Sequence, residues 1–302
     1  PPRSTLFPYT TLFRSRWLIW HQVAFRLRSI WRKLRITRFA SRLLGPQYIR
    51  SRDNIEIDIT YDCNLLCHNC NRSVSQAPEK LHLPLEAVRD FVTQSIACGK
   101  RWVRIRVLGG DPTLHQKFPD IIKELLRYHA WHQPCVIEVV TNGYGPIVQS
   151  QLNKLPASVR VENSRKTSPV QQEFAPFNLA PVDDRIYRHA DFTNGCSIMQ
   201  DCGMGLTPLG YYPCAISGGI DRIAKLGLGR SHLPDDSDGM RDLLSAFCGL
   251  CGRFRDGHYV PKNLRPHILG QPMSPSWTRL YAEWERSGGT VRQAHEVYQE
   301  AE

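Results

Sequence analysis

Three cysteines, Cys63, Cys67 and Cys70, stand at C-x3-C-x2-C spacing in the segment D-C-N-L-L-C-H-N-C at residues 62–70. Iron–sulfur clusters are held by cysteine thiolates. A four-iron cube held by three thiolates keeps one iron open to a further ligand. A structural zinc site needs four protein ligands, and the nearest candidate, His68, is adjacent to Cys67 and would strain the loop. A zinc ion bound by three cysteines and water is the other alternative, and we favour the cluster.

Five further cysteines form a second group. Cys196 and Cys202 precede the stretch G-L-T-P-L-G-Y-Y-P-C that ends at Cys214, and Cys248 and Cys251 form a C-x2-C pair. Such tight groups in a long chain indicate metal or cluster ligands rather than a disulfide framework. The remaining two of the ten cysteines, Cys98 and Cys135, stand alone and are expected to be small buried residues.

The elements that must position these cysteines alternate between strands and helices. Periodicity predicts strands over 54–61, 102–108, 136–140 and 158–162, and helices over 85–97, 118–129 and 147–154. Such alternation predicts an α/β fold with parallel strands, whose sites gather at the carboxyl ends of the strands. The first cysteine group lies at such an end. So do Gly109-Gly110-Asp111-Pro112, Thr141-Asn142-Gly143 and Asn163-Ser164.

The motif C-N-L-L-C-H-N-C after a strand reading I-D-I-T resembles the radical S-adenosylmethionine (radical SAM) enzymes, over roughly residues 54–252. The resemblance implies a shortened, partial (β/α) TIM-like barrel. It also implies a 4Fe–4S cluster on Cys63, Cys67 and Cys70, whose open iron binds S-adenosylmethionine. Reductive cleavage of that cofactor yields a 5′-deoxyadenosyl radical that abstracts hydrogen from the substrate. The chain departs from the family at Asn69, where an aromatic residue is usual.

The companion motifs extend this resemblance. Gly109-Gly110-Asp111-Pro112 is similar to the family's G-G-E-P, with Asp in place of Glu. The glycines permit close backbone approach, and the Asp111 carboxylate would hold the ammonium of the methionine part. Asn163 and Ser164 would contact the ribose. By the residues alone, each of these motifs also fits an ordinary turn or strand end.

The second cysteine group resembles the auxiliary-cluster modules of the same superfamily, the SPASM and twitch types. The resemblance implies one auxiliary 4Fe–4S cluster on Cys202, Cys214, Cys248 and Cys251, with Cys196 as an alternate for Cys202. A four-cysteine zinc site is the competing interpretation. The same region holds four candidate polar contacts to a substrate, although each also fits a surface or capping role: Asp221, Arg222, His258 and Tyr259.

The amino-terminal region carries the positive charge of the chain. Residues 1–52 hold twelve Lys or Arg and no Asp or Glu, whereas the remaining residues hold 27 basic and 28 acidic side chains. Residues 1–15 match the translation of a sequencing adapter and are set aside. The spacing predicts an amphipathic helix over 16–44, ended by Gly45-Pro46. It fits an interfacial membrane helix or a helix that packs its apolar stripe on the core.

These observations predict a division into an adapter-derived segment (1–15), a basic helix (16–50), a radical SAM partial barrel (51–190), an auxiliary-cluster region (191–262) and a helical tail (263–302). We expect an enzyme that abstracts hydrogen from a small polar molecule such as a sugar, a polyol or an envelope precursor, and oxidises it. The alternatives are a peptide-modifying maturase and a non-enzymatic zinc protein. Expected partners are the substrate and a reductant such as flavodoxin or ferredoxin, with no nucleic acid. The expected location is the cytoplasm, with peripheral membrane contact through residues 16–44.

Overall fold

The computed structural model describes residues 9–67, 70–171, 177–260 and 273–292. The helices are, in chain order, α1 (Tyr9–Arg35), α2 (Arg38–Leu44), α3 (Leu85–Ala97), α4 (Phe118–Trp131), α5 (Pro146–Leu152), α6 (Ser197–Asp201), α7 (Ala215–Ala224), α8 (Arg241–Phe247), α9 (Arg253–Asp256) and α10 (Pro275–Arg286). The strands are β1 (Asn54–Thr60), β2 (Leu66–Cys67), β3 (Arg104–Gly109), β4 (Val136–Thr141), β5 (Arg160–Asn163), β6 (Val170–Gln171), β7 (Met204–Thr207) and β8 (Gly210–Tyr212).

Six of these strands form the main sheet, in the order β5-β4-β3-β1-β7-β8. The pairs from β5 through β7 are parallel, and β8 runs antiparallel to β7 as the second half of a hairpin. A short parallel pair of β2 and β6 lies beside this sheet. The prediction of a mixed α/β fold with a mainly parallel sheet is therefore confirmed.

The second strand begins two residues later than predicted. Trp102 is fully buried, and its backbone N–H donates to the Tyr128 hydroxyl at 2.8 Å instead of to a neighbouring strand. Its indole N–H donates to Ser95 at 3.0 Å. The tryptophan therefore joins α3 to α4, and regular pairing with β1 starts only at Arg104.

The two faces of the sheet differ in character because side chains alternate along a strand. Ile55, Ile57 and Ile59 of β1 lie in the hydrophobic core with residues of α3 and α4. Glu56 and Asp58 point to the opposite face, where they are buried but paired with arginines. We call this opposite surface the polar face.

Two buried arginines balance the carboxylates of the polar face. Arg72, from the segment after the cysteine loop, binds Glu56 and Asp58 at 3.1 Å each. Arg106 of β3 binds Glu56 at 2.8 Å and Glu138 at 2.7 Å, and it also pairs with Glu162. The surrounding carboxylates raise the pKa of both arginines above its usual value, although burial opposes the shift. The polar face is thus charged but electrically compensated.

The predicted single helix over 16–44 is divided in two. α1 ends at Arg35, and α2 starts after Thr37, whose hydroxyl accepts from the backbone N–H of Ala40 at 3.2 Å. Between them Ile36 is buried, and its carbonyl accepts from the N–H of Asp191 at 2.7 Å. This tertiary backbone contact takes a carbonyl that a continuous helix would need for its own ladder.

The structure describes part of the predicted helical tail over 263–302. One helix, α10, lies in that part, and residues 293–302 lie outside the described residues. Within the described parts of the chain, no helix is both long enough and apolar enough to cross a lipid bilayer.

Arg222 joins its helix, α7, to the segment that follows the cysteine loop. Its guanidinium donates to the carbonyls of Ala77, Arg72 and Ser73 at 2.9–3.1 Å and pairs with Glu79 at 3.1 Å. The Tyr281 hydroxyl of α10 reaches the same segment, donating to Ser73 Oγ at 2.9 Å.

Replacing Arg222 tests this attachment. We expect Arg222→Met to lower the free energy of unfolding by about 3 kcal/mol, because it leaves buried carbonyls without a donor. The measurement is denaturant unfolding of the purified chain. Arg286→Met removes an exposed arginine of α10 and should change stability by less than about 0.5 kcal/mol. Equal stability of both variants would show that Arg222 does not support the segment.

Candidate cofactor sites

The cysteine loop begins where β1 ends, at the carboxyl edge of the sheet. Cys63, Cys67 and Cys70 are all free thiols, and Cys67 ends the short strand β2. The loop is held by β6 and by Gln76, whose side-chain amide donates to the Cys67 carbonyl at 3.1 Å. His68 and Asn69, which the sequence analysis discussed, lie outside the described residues.

The charges around these thiols favour a bound metal. Burial, together with the nearby Cys70, raises the pKa of the Cys67 thiol to about 12, against the opposing charge of Lys166. Burial also raises the pKa of Cys63, with smaller contributions from Cys70 and Cys67. Without metal these two thiols are protonated at neutral pH. A coordinated metal ion deprotonates its thiol ligands, so iron would supply the positive charge that the buried sulfurs require.

Three free thiols on one loop are the donor set of a cluster with an open iron. A zinc ion needs all of its sulfur ligands about 2.3 Å from one point. A cubane has no such requirement, since each thiolate binds its own iron. The residues therefore fit a 4Fe–4S cluster.

The Gly-Gly-Asp-Pro motif at the end of β3 lies directly against the cysteine loop. The N–H of Gly110 donates to the Thr60 carbonyl at 2.7 Å, and the N–H of Asp111 donates to the Asp62 carbonyl at 2.9 Å. Neither glycine has room for a side chain, because a Cβ would lie 2.0 Å from the Thr60 or the Asp62 carbonyl oxygen. Gly109 also has a φ of +138°, which L side chains rarely adopt. The glycines thus allow two backbones to pair beside Cys63.

Asp111, predicted to hold an ammonium group, also has a structural role. Its carboxylate is fully buried and accepts four hydrogen bonds from the protein. One oxygen accepts from the backbone N–H and the hydroxyl of Thr113, at 3.1 and 2.6 Å. The other accepts from the Thr141 hydroxyl at 2.7 Å and the Asn142 N–H at 2.9 Å. In this arrangement the carboxylate joins β3 to β4, and its contact to an ammonium group stays a prediction.

The predicted turn Thr141-Asn142-Gly143 proves to be part of the site. The side-chain amide of Asn142 donates to Asn64 Oδ1 at 2.8 Å and lies 3.9 Å from the Cys63 sulfur. The amide of Asn64 donates to the Tyr144 carbonyl at 2.6 Å. These contacts join the cysteine loop to β4, and the sequence signal for them was the position of Thr141-Asn142-Gly143 at a strand end.

The two residues predicted to contact a ribose lie one strand farther out. The side-chain oxygen of Asn163 accepts from the N–H of Arg165 at 2.8 Å, and the Ser164 hydroxyl donates to the Thr141 carbonyl at 3.0 Å. Both lie at the same carboxyl edge as the cysteine loop. A ligand role for them stays a prediction.

The Asp111→Asn variant separates the two roles of this carboxylate. We expect it to lower the free energy of unfolding by about 1–3 kcal/mol in the absence of any ligand, since an amide N–H₂ would face either the Asn142 N–H or the Thr113 N–H. The measurement is thermal or denaturant unfolding of the ligand-free chain. Unchanged stability combined with lost S-adenosylmethionine binding would instead support the predicted contact to the ammonium.

The structure collects a second group of four cysteines. Burial raises the pKa of Cys248, and the neighbouring Cys196, Cys214 and Cys251 raise it further. Burial, with contributions from Cys196 and Cys214, likewise raises the pKa of Cys251, and burial with Cys196 raises that of Cys214 to about 11. The four thiols come from the starts of α6 and α7 and from the turn between α8 and α9.

Cys202, the predicted ligand for which Cys196 is the alternate, lies in a different environment, and its role as a ligand stays a prediction. Its sulfur lies on the polar face, 3.7 Å from an Arg106 nitrogen, and its surrounding charges are Glu56, Arg106 and Arg72. The next residue, Gly203, has a φ of +102° and lies directly against the Asn54 carbonyl at the start of β1. Cys196, the predicted alternate, is near enough to Cys214, Cys248 and Cys251 to raise the pKa of each.

Arg32 of α1 lies beside this second group. Its guanidinium donates to the carbonyls of Gly195 at 2.6 Å and Phe254 at 2.9 Å, and to the side chain of Gln47 at 2.6 Å. It is almost completely buried, and its positive charge partly opposes the rise in the pKa of Cys248. A buried cation next to four thiols would partly compensate the negative charge of a thiolate-ligated cluster.

The proposed polar contacts divide into structural and exposed residues. Asp221 accepts from the Tyr212 hydroxyl at 2.6 Å and from the N–H groups of residues 226–228 at 2.8–3.0 Å, so it caps the end of α7. Arg222 is the anchor described above. His258 stacks edge-on against Phe25 of α1 at 5.4 Å, and Tyr259 is exposed.

The iron content of the reconstituted chain tests whether Cys196 or Cys202 is a cluster ligand. After anaerobic reconstitution we expect Cys196→Ser to lower bound iron from about eight to about four atoms per chain. Cys202→Ser is the matched control and should retain the full content. Iron and sulfide are measured chemically and compared with the wild type. The reverse result would restore the ligand set that includes Cys202.

Comparison with known proteins adds an independent line of evidence. No family model matches the chain. A protein named GTP 3′,8-cyclase from Helicobacter pylori is 28% identical over 104 residues, which is 34% of this chain and 31% of that protein. A probable GTP 3′,8-cyclase from Archaeoglobus fulgidus is 28% identical over 101 residues, 33% of this chain and 31% of that protein.

The chain spans about a third of the length of these curated relatives. Its structure is also similar to a crystal structure of BtrN in complex with AdoMet and 2-DOIA, with 14% identity and a TM-score of 0.38, over 70% of this chain and 89% of that one. A TM-score this low supports no conclusion about the chain. The prediction of an enzyme agrees with the curated relatives.

Proposed function

We propose that the protein is a radical SAM enzyme that reductively cleaves S-adenosylmethionine and uses the 5′-deoxyadenosyl radical to abstract hydrogen from a small polar substrate. The observation that carries this proposal is the loop with Cys63, Cys67 and Cys70 at the carboxyl end of β1, paired through its backbone with Gly110 and Asp111 at the end of β3.

A 4Fe–4S cluster on those three thiols would supply the electron that cleaves the sulfonium. The chain's own residues would exclude water and hold the reactants. The paired backbones of β1 and β3 close one side of the loop, and Asn64 and Asn142 close the side next to β4. A pocket of about 360 Å³ opens beside the loop, lined among others by Asp62 and Cys63.

The polar face supports a substrate with hydroxyl or charged groups. Glu56, Asp58 and Glu138 supply acceptors there, and Arg72 and Arg106 supply donors. Because these groups are buried and paired with one another, a polar substrate that displaces one of them must supply a hydrogen bond in its place. The finer architecture that we propose is a shortened (β/α) TIM-like barrel over 51–190 whose strands turn the polar face inward.

We further propose that residues 191–262 form a SPASM- or twitch-like subdomain with an auxiliary 4Fe–4S cluster on Cys196, Cys214, Cys248 and Cys251. Removal of a hydrogen atom leaves a substrate radical, and loss of one more electron and a proton completes a two-electron oxidation. A second cluster near the substrate would supply the acceptor for that electron. Flavodoxin or ferredoxin is the proposed source of the electron for the first cluster.

The experiment is anaerobic reconstitution followed by reduction with S-adenosylmethionine. The wild type should show a 4Fe–4S spectrum and form 5′-deoxyadenosine. Cys67→Ala should reduce that product to background because the first cluster loses a ligand. Cys98→Ala should leave it unchanged, because Cys98 is an isolated cysteine that is exposed and not buried as the sequence suggested. Undiminished product from Cys67→Ala would contradict the assignment.

The same preparation separates the alternative functions. A colourless chain with stoichiometric zinc would support the zinc-binding protein. Deuterium transfer into 5′-deoxyadenosine, tested with labelled sugars, with labelled peptides and with GTP, distinguishes the small-molecule substrate from a peptide and from the substrate class that the relatives' name indicates.

A further inference from the structure

The helix α1 exposes a row of large apolar side chains. Their exposed fractions range from 42% to 73%. The row comprises Trp20, Val23, Leu27, Ile30, Trp31 and Leu34. We call it the apolar stripe. A contiguous exposed apolar surface of this kind marks an interaction site, and all six residues follow the adapter-like segment.

The opposite side of α1 is fixed to the protein body. Phe25 packs edge-on against His258, and Arg32 is buried among three acceptor groups. Ile36, at the end of the helix, is also buried. These contacts set the rotation of α1, so the apolar stripe cannot turn onto the core. The interpretation in which the stripe packs on the core is therefore not what the structure shows.

Basic side chains border the apolar stripe on both sides. At 3.6 residues per turn the stripe spans about 100° of the helix surface. Arg26 and Lys33 lie along one border, and Arg28 and Arg35 lie along the other. The following helix α2 exposes the apolar residues Phe39 and Leu43 and also contains Arg38 and Arg42. Throughout residues 1–52 there is no acidic side chain.

This arrangement selects one type of partner. Two copies of the stripe would bring equally basic borders together, which repel. A nucleic acid would attract the arginines and lysine but would not cover tryptophan, leucine and isoleucine. A bilayer with anionic headgroups does both, because the acyl region accepts the apolar side chains while the headgroups pair with the borders.

We propose that α1 lies in the surface of an anionic membrane with the apolar stripe inserted, and that this docks the protein on the membrane. The proposal is independent of the proposed chemistry. Since Arg32 on the inner side of the same helix contacts the Gly195 carbonyl next to Cys196, docking would place the second cysteine group close to the membrane surface.

Vesicle sedimentation of the full chain tests the proposal. We expect binding to phosphatidylcholine vesicles that contain about 30% phosphatidylglycerol, and at least tenfold weaker binding to phosphatidylcholine alone, since about four basic side chains border the stripe. The double variant Leu27→Glu/Leu34→Glu should weaken binding by about tenfold or more because it places charges in the inserted stripe. Binding should also fall at about 0.5 M salt.

The matched control is Ile147→Glu/Leu226→Glu, which makes the same kind of change at exposed apolar residues on other elements and should bind like the wild type. Circular dichroism shows whether each variant is folded. Equal binding to both vesicle types, or unchanged binding of Leu27→Glu/Leu34→Glu, would overturn the proposal. A chain that binds no vesicles would also overturn the proposal. This holds equally if the apolar stripe is found to drive dimerisation or if its basic borders are found to bind duplex DNA.

Discussion

The candidate site depends on one constraint, the close approach of the end of β3 to the loop that leaves β1. Two backbone hydrogen bonds, from Gly110 to Thr60 and from Asp111 to Asp62, hold the chains together where the first cysteine stands. Only glycine fits, because a Cβ at either Gly109 or Gly110 would overlap a carbonyl oxygen. The Asp111 carboxylate then extends the link to β4, so three neighbouring strands share one rigid edge.

Away from that edge, buried arginines hold the segments of the chain together. Arg72 and Arg106 compensate the carboxylates of the polar face, and Arg222 and Arg32 bind groups of backbone carbonyls. An arginine can donate several hydrogen bonds in a fixed plane. It can therefore join segments that are distant in sequence. In this protein such contacts connect α1 to the second cysteine group and α7 to the segment after the first.

Local patterns predicted most of the framework. The helix over 85–97 was predicted exactly, and the strands before and after it were placed to within two residues, because burial on a sheet or helix leaves a periodic signal. The cysteine triple at a strand end likewise follows from sequence spacing. Where the prediction failed, a distant contact had replaced a local one, as at Trp102 with Tyr128 and at Ile36 with Asp191.

The sequence by itself determined the α/β order of elements, the first cysteine group and the basic amino terminus, since each is encoded in residues close together along the chain. The tertiary structure decided that Cys202 lies beside Arg106 while Cys196 lies near Cys248, and that the Asp111 carboxylate accepts hydrogen bonds from its own neighbours. It also decided that the apolar stripe of α1 faces outward. Helical spacing is identical for a stripe that faces inward or outward, and only contacts between distant segments, such as those of Arg32, fix the direction.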